Sequence, residues 1–268
     1  MTPPTGRSIT CTRLDAHVHL HPRFDAAAFL DHAARNARGN AALCFTECAG
    51  VNRFTELRDA SSAGEWLITP TAEPESLIAR RGEHAVILIA GRQVITAERL
   101  EVLAVAADSD VADGQPLGTT IDATLAAGAL PVLPWAFGKW TGARGRAVAS
   151  CIESRSDVFV ADQAGRPAGT PEPPILALAR ERGLINLSGS DPLDLPRHVA
   201  RPASFGCTLT DGGSDTFELD AQTPADDLRA KLARLTTSPP IRGSRVSPIG
   251  FVRDQVALRL AKRSGRPA

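Results

Sequence analysis

Asp15-Ala16-His17-Val18-His19-Leu20-His21 is the stretch from which the fold is read. Side chains of an extended strand alternate between faces, so Asp15, His17, His19 and His21 share one face. Leu14, Ala16, Val18 and Leu20 share the other. The second face is apolar and suited to a core. The first carries three imidazoles and a carboxylate, the ligand types that a divalent metal takes from a protein. The competing reading is a half-exposed strand whose polar face meets water. An Asp-x-His-x-His run is short, so its weight depends on what the rest of the chain adds.

The totals admit a soluble globular protein: 268 residues, 43% hydrophobic and 22% charged. Thirty basic and thirty acidic residues cancel, which gives no charge excess for nucleic acid or a membrane surface. The longest apolar run, residues 85–90, is far too short to cross a bilayer, and the first dozen residues hold no apolar stretch of a secretory signal. Five scattered cysteines without CxxC spacing fit a reducing, cytoplasmic setting. Tyrosine is absent, which excludes phenol chemistry.

Outward from the first strand, residues 24–38 predict a helix, with Phe29, Ala33 and Ala37 at helical spacing and Gly39 behind it. Residues 41–48 predict a strand and 53–62 a short helix, followed by short strands at 66–69 and 76–79. Residues 85–90 and 100–106 are nearly continuous apolar runs of strand length. Such runs suit strands covered on both faces, the signature of a parallel sheet. Helices at 121–127, 144–153 and 173–182 then alternate with strands at 130–135, 158–162 and 184–191. The rhythm, about seven or eight strand–helix units over ~200 residues, predicts an α/β fold: a distorted TIM-like β/α barrel of parallel strands. One domain over 1–268 is expected, with its barrel core at about 13–195. A C-terminal elaboration follows, with a β pair around Asp211-Gly212-Gly213, a helix opened by Thr223-Pro224 and a last helix at 250–263.

In such a barrel the active site lies at the C-terminal ends of the strands. His17, His19, Glu47, Gln93, Glu101, Asp162 and Asp191 are the polar groups expected there. Together Asp15-Ala16-His17-Val18-His19 and Gly189-Ser190-Asp191 resemble the metal-dependent hydrolases of the PHP (polymerase and histidinol phosphatase) type, a family related to the amidohydrolases. The resemblance spans about residues 13–195 and is specific at the first strand. It implies a distorted barrel holding two or three metal ions that hydrolyses phosphate esters.

Several positions depart from the family pattern. Thr46-Glu47-Cys48 stands for Thr-Asp-His, Gly91-Arg92-Gln93 for Gly-x-Glu, Trp135-Ala136 for His-Pro, and Ser190-Asp191-Pro192-Leu193 for Ser-Asp-x-His. What survives implies one divalent ion (Zn, Mn or Fe) on His17, His19 and Asp191, with Glu47 or Glu101 as further ligands. Asp191, Glu47 and Asp15 are the candidate catalytic carboxylates, Asp191 as ligand or as general base on a water.

The loop from Pro134 to Arg146 holds two of the three tryptophans, and its Lys139 and Arg144 can clamp an anion. Arg92 and Gln93 are further candidates for substrate contact. An ordinary loop packed by tryptophans with surface cations is the alternative. Cys48 can replace a ligand or be a small buried hydrophobe. His21 is expected at the rim and His198 on the surface, with replacement of the missing terminal ligand as its other reading. The expected activity is hydrolysis of a small phosphorylated substrate, without nucleic acid or membrane partners. Two readings compete with it. One is a barrel whose metal site has decayed, with Cys48, Trp135 and Leu193 packed into the vacated space. The other is an amidohydrolase acting on C–N bonds with Lys139 as bridging ligand.

Overall fold

The computed structural model describes residues 8–108, 110–210 and 214–263. In chain order the first elements are β1 (Ser8–Cys11), β2 (Arg13–Val18), α1 (Ala26–Ala37), β3 (Ala41–Phe45) and α2 (Arg53–Ala60). Five strands follow with no helix between them: β4 (Ser62–Ala63), β5 (Trp66–Pro70), β6 (Ser76–Arg81), β7 (His84–Ile89) and β8 (Gly91–Ile95). Then come β9 (Glu101–Val105), α3 (Leu117–Ala126), β10 (Leu130–Pro134), α4 (Gly142–Ser154), β11 (Phe159–Gln163), α5 (Pro174–Glu181) and β12 (Asn186–Gly189). The chain closes with β13 (Phe205–Cys207), β14 (Phe217–Asp220), α6 (Pro224–Ala233), β15 (Ile241–Gly243) and α7 (Pro248–Arg263).

These strands form mixed sheets of eight (β15-β13-β2-β3-β7-β6-β5-β4), five (β12-β11-β10-β9-β8) and two (β1-β14) strands. The expected parallel TIM-like barrel is therefore wrong. Parallel pairing holds for β2 with β3, β3 with β7, β10 with β11 and β11 with β12. The other described strand pairs are antiparallel. The physical reason lies in the connections. Parallel neighbours need a crossover of a dozen residues or more, whereas the joints from β5 through β9 are short. The apolar runs at 85–90 and 100–106 did mark strands buried on both faces, as β7 and β9 are. Burial on both faces does not fix strand direction, and β9 is antiparallel to both its neighbours.

The two large sheets meet at two seams. Beyond β3, Glu47 bridges to Arg92 of β8, its N–H donating to the Gly91 carbonyl (3.1 Å) and its carbonyl accepting from Gln93 (2.9 Å). Beyond β12, Asp191 N–H donates to the His17 carbonyl (2.9 Å). Apolar side chains from both sheets fill the space between, among them Leu14, Ala16, Ile87, Leu103, Val132 and Leu187. A second core lies between β2, β3, β7 and helix α1, built on Val18, Phe29, Phe45 and Leu88. Helix α1 begins at its Asp25 cap, whose carboxylate accepts from Ala28 N–H (2.7 Å). Its left-handed C-terminal residue is Arg38, at φ 57°, rather than the expected Gly39.

The C-terminal third is woven into this frame. Strand β13 pairs with β2 and β15, and β14 with β1, so the two are not a hairpin with each other. The turn expected at Asp211-Gly212-Gly213 lies outside the described residues. Among the described residues no helix is long and apolar enough to cross a membrane. All five cysteines are free.

Asp15 ties the parts together. Fully buried, its carboxylate accepts from Ser190 N–H (2.8 Å) after β12, from Ala203 N–H (2.8 Å) before β13, and from His17 N–H (3.4 Å). Burial pushes its pKa up to about 7 against the opposing pull of these donors. Asp15→Asn places an amide N–H₂ against one of these donor groups, and it is expected to cost about 2–4 kcal/mol. Urea unfolding at pH 7 measures it; a loss below about 0.5 kcal/mol would deny Asp15 this role.

Candidate metal centre

The β2 strand ends at Val18, after a shift of register against β3 between Asp15 and Val18, and His19 lies beside His17. Their Nε2 atoms lie 2.9 Å apart, with the rings edge to face. Asp191 arrives from the end of β12, its Oδ1 3.7 Å from His17 Nε2 and 3.6 Å from His19 Nε2. Ligand atoms of these three residues all fall within 4.8 Å of one another.

Two backbone features make this approach possible. A Cβ at Gly189 would sit 2.5 Å from both the backbone nitrogen and the Cβ of His17, so only glycine lets β12 come this close. Asp191 itself adopts φ 44°, the left-handed region that Asp tolerates better than most residues. That turn is pinned by its N–H to the His17 carbonyl and aims the carboxylate at the imidazoles.

The electrostatics keep both imidazoles neutral. Burial lowers His17 to about 4, opposed by the Glu101 charge and the Gln93 amide. Burial and the neighbouring His17 lower His19 to about 3, opposed by the Asp191 charge. Neutral rings keep the lone pairs that bind metals. The set of two buried imidazole nitrogens and a carboxylate oxygen facing one point suits Zn or a similar divalent ion. His17 Nδ1 is buried without a hydrogen-bond partner.

A cavity of about 480 Å³ opens over His19 and Asp191, with His17 buried behind them. Gln93, Lys139 and Glu101 line it, the last two paired with each other. Glu101 was expected at the C-terminal end of its strand. It is instead the first residue of β9, which reaches the same rim because β9 runs antiparallel to β10. Cys48 lines the cavity as well, as a thiol pushed up to about 11 by burial. His21 lines the rim and turns its Nε2 to the Pro192 carbonyl (2.7 Å).

Other expected site residues are placed elsewhere. The Glu47 carboxylate accepts from Phe54 N–H (2.8 Å) at the start of α2, and burial raises its pKa to about 7. Arg92 sits at the seam beside it. Arg144 donates to the Gly138 carbonyl (3.2 Å), bracing the loop before α4. Asp15 is the buried tie described above, and Asp162 accepts from Arg166 (2.9 and 2.6 Å) and Arg245 (2.5 Å).

His198, expected on the surface, is fully buried. Its Nδ1 accepts from Leu193 N–H (2.8 Å), so Nε2 carries the proton toward Asp254 Oδ2 (3.2 Å). Arg197 (3.0 Å) and Arg201 (2.7 Å) donate to the same carboxylate. Helix α7 carries Asp254 and forms a wall of the cavity with Phe251, Asp254, Gln255 and Leu258. The sequence does hold the signal, since 251, 254, 255 and 258 share one helix face and 254 is a lone acid there. Arg166 and Arg201 also reach the cavity, each held by a carboxylate.

No family model and no curated protein matches this sequence. Among solved structures the chain is similar to PsfC from Pseudomonas syringae, at a TM-score of 0.55 and 15% identity, over 97% of this chain and 99% of that one. It is also similar to the lesion-specific endonuclease PfuEndoQ from Pyrococcus furiosus, at a TM-score of 0.45 and 12% identity, over 97% and 84% of the two chains. At these identities the likeness to PsfC bears on the fold alone, and the second is too distant to carry an argument.

Proposed function

We propose that this protein is a metal-dependent hydrolase of small phosphate esters. The observation that carries the reading is the convergence of His17, His19 and Asp191, with His19 and Asp191 lining a cavity that Lys139 also lines and His17 buried behind them. The motifs shared with PHP-type hydrolases at Asp15–His19 and Gly189–Asp191 support the same choice. A divalent ion bound there supplies a Lewis acid and lowers the pKa of a water toward neutrality.

The chain's own groups then have separate tasks. His17 and His19 are neutral imidazoles at neutral pH, and the one proton shared in their 2.9 Å Nε2–Nε2 contact is the proton that metal binding there would displace. Asp191 is the third ligand or takes a proton from the attacking water. Lys139, fixed by Glu101, keeps further N–H donors for a phosphoryl oxygen. Arg201, fixed by Asp254, is a second cation on the cavity wall.

The readings that compete with this one fare less well. Cys48, Trp135 and Leu193 line an open cavity instead of filling the place of absent imidazoles, contrary to a decayed, packed site. A Lys139 paired with Glu101 is not free to bridge metals, which counts against the amidohydrolase reading.

Phosphomonoester hydrolysis by Mn- or Zn-loaded protein tests the proposal. Asp191→Asn and His17→Ala/His19→Ala are expected to lower kcat/KM by at least about 10²-fold, with folding followed by circular dichroism. Undiminished turnover in the double variant, or none by the loaded wild type, contradicts it. Because the imidazoles take up protons only near 4 and 3, metal affinity should stay level as pH falls from 8 to about 5 and drop below that. A fall centred near the ordinary histidine value, about 6.5, would show that the two rings are not held neutral by burial.

A further inference from the structure

A second cavity of about 380 Å³ adjoins the first and shares Trp135, Ala136, Phe137 and Arg166 with it as walls. Its lining is aromatic and proline-rich, with Trp135, Phe137, Trp140, Pro171, Pro173 and Ile175 around it. Phe137 is 65% exposed, an unusual cost for a large ring unless something covers it. It stands edge-on to Trp135 on one side and to Phe251 of α7 on the other, at centroid distances of 6.4 and 5.1 Å.

The groove is held in shape before anything enters it. Arg166, buried at the junction of the two cavities, donates to the Thr170 (3.1 Å) and Pro171 (3.3 Å) carbonyls and so fixes the far wall. Arg144 and the Thr141 hydroxyl donate to the Gly138 carbonyl, which fixes the turn that presents Phe137. Preformed apolar space lined by rigid rings favours a flat aromatic guest, because ring faces and edges pack well and little side-chain entropy is lost.

We propose that this groove is a leaving-group subsite that receives a flat aromatic ring, so that the substrate is an aromatic phosphate ester with its phosphate over His17, His19 and Asp191. The proposal rests on the hydrolase reading for the second half of that statement and on the groove's own walls for the first. Adjacency is the deciding feature. The groove and the cavity over His19 and Asp191 share Trp135, Ala136, Phe137 and Arg166 as walls, so a ring on Trp135 lies next to the space where the phosphate is placed.

The test compares wild type with Phe137→Ala, using 4-nitrophenyl phosphate and ethyl phosphate as substrates and 4-nitrophenol as a non-reacting ligand. Trp135 and Trp140 report on the groove by emission, while Trp66 is buried elsewhere, donating to Asp31. The expected result is saturable quenching by 4-nitrophenol that Phe137→Ala weakens. The ratio of kcat/KM for the aryl over the ethyl ester should also fall about tenfold in the variant. Hydrolysis of both esters with that ratio unchanged and no saturable quenching overturns the subsite and leaves the hydrolase standing. Quenching that the variant weakens, with neither ester hydrolysed, keeps the aromatic groove and removes the hydrolase. Neither quenching nor hydrolysis overturns both.

Discussion

A single buried carboxylate sets the geometry on which the rest depends. Asp15 takes backbone N–H groups from residues 190 and 203, on the far side of the chain from its own strand. Backbone donors buried at strand ends need partners, and a carboxylate can satisfy several at once. By doing so Asp15 fixes the end of β12 against β2. His17 and Asp191 can then face each other, with Gly189 alone allowing the contact. Asp15 thus acts through backbone position, while the candidate metal ligands are its neighbours two and four residues on.

The same economy of charge recurs around the cavity. Lys139 is held by Glu101, Arg166 by Asp162, and Arg197 and Arg201 by Asp254. Of these cations Lys139, Arg166 and Arg201 line the cavity, and each is held in one orientation by its carboxylate. Asp254 further anchors α7, and through Leu193 N–H and His198 the same cluster steadies the loop after Asp191.

Much of this was legible in the sequence, and the parts that were not share a cause. His17 and His19 do meet, as alternation within residues 15–21 predicts, and the strand ending at Ser190-Asp191 supplied the third group. The single apolar face expected of Leu14, Ala16, Val18 and Leu20 is wrong. A register shift between Asp15 and Val18 sends the first two into the core between the sheets and the last two into the core under α1. Local pattern carries such information because the period of a strand is fixed. Strand direction was not legible. A run such as residues 85–90 reads as buried on both faces whether its neighbours run parallel or antiparallel, so the barrel expectation failed at β5 through β9. Long-range partners were equally hidden: nothing near His198 announces Asp254, and nothing near Glu47 announces the N–H of Phe54 that its carboxylate accepts.

The central claim is that His17, His19 and Asp191 bind one divalent ion. Anomalous diffraction from crystals of the full chain grown with Zn or Mn tests it most directly. The account expects one peak about 2.0–2.4 Å from His17 Nε2, His19 Nε2 and an Asp191 carboxylate oxygen. A peak seated elsewhere, or none while the two Nε2 atoms keep a direct hydrogen bond, would contradict it.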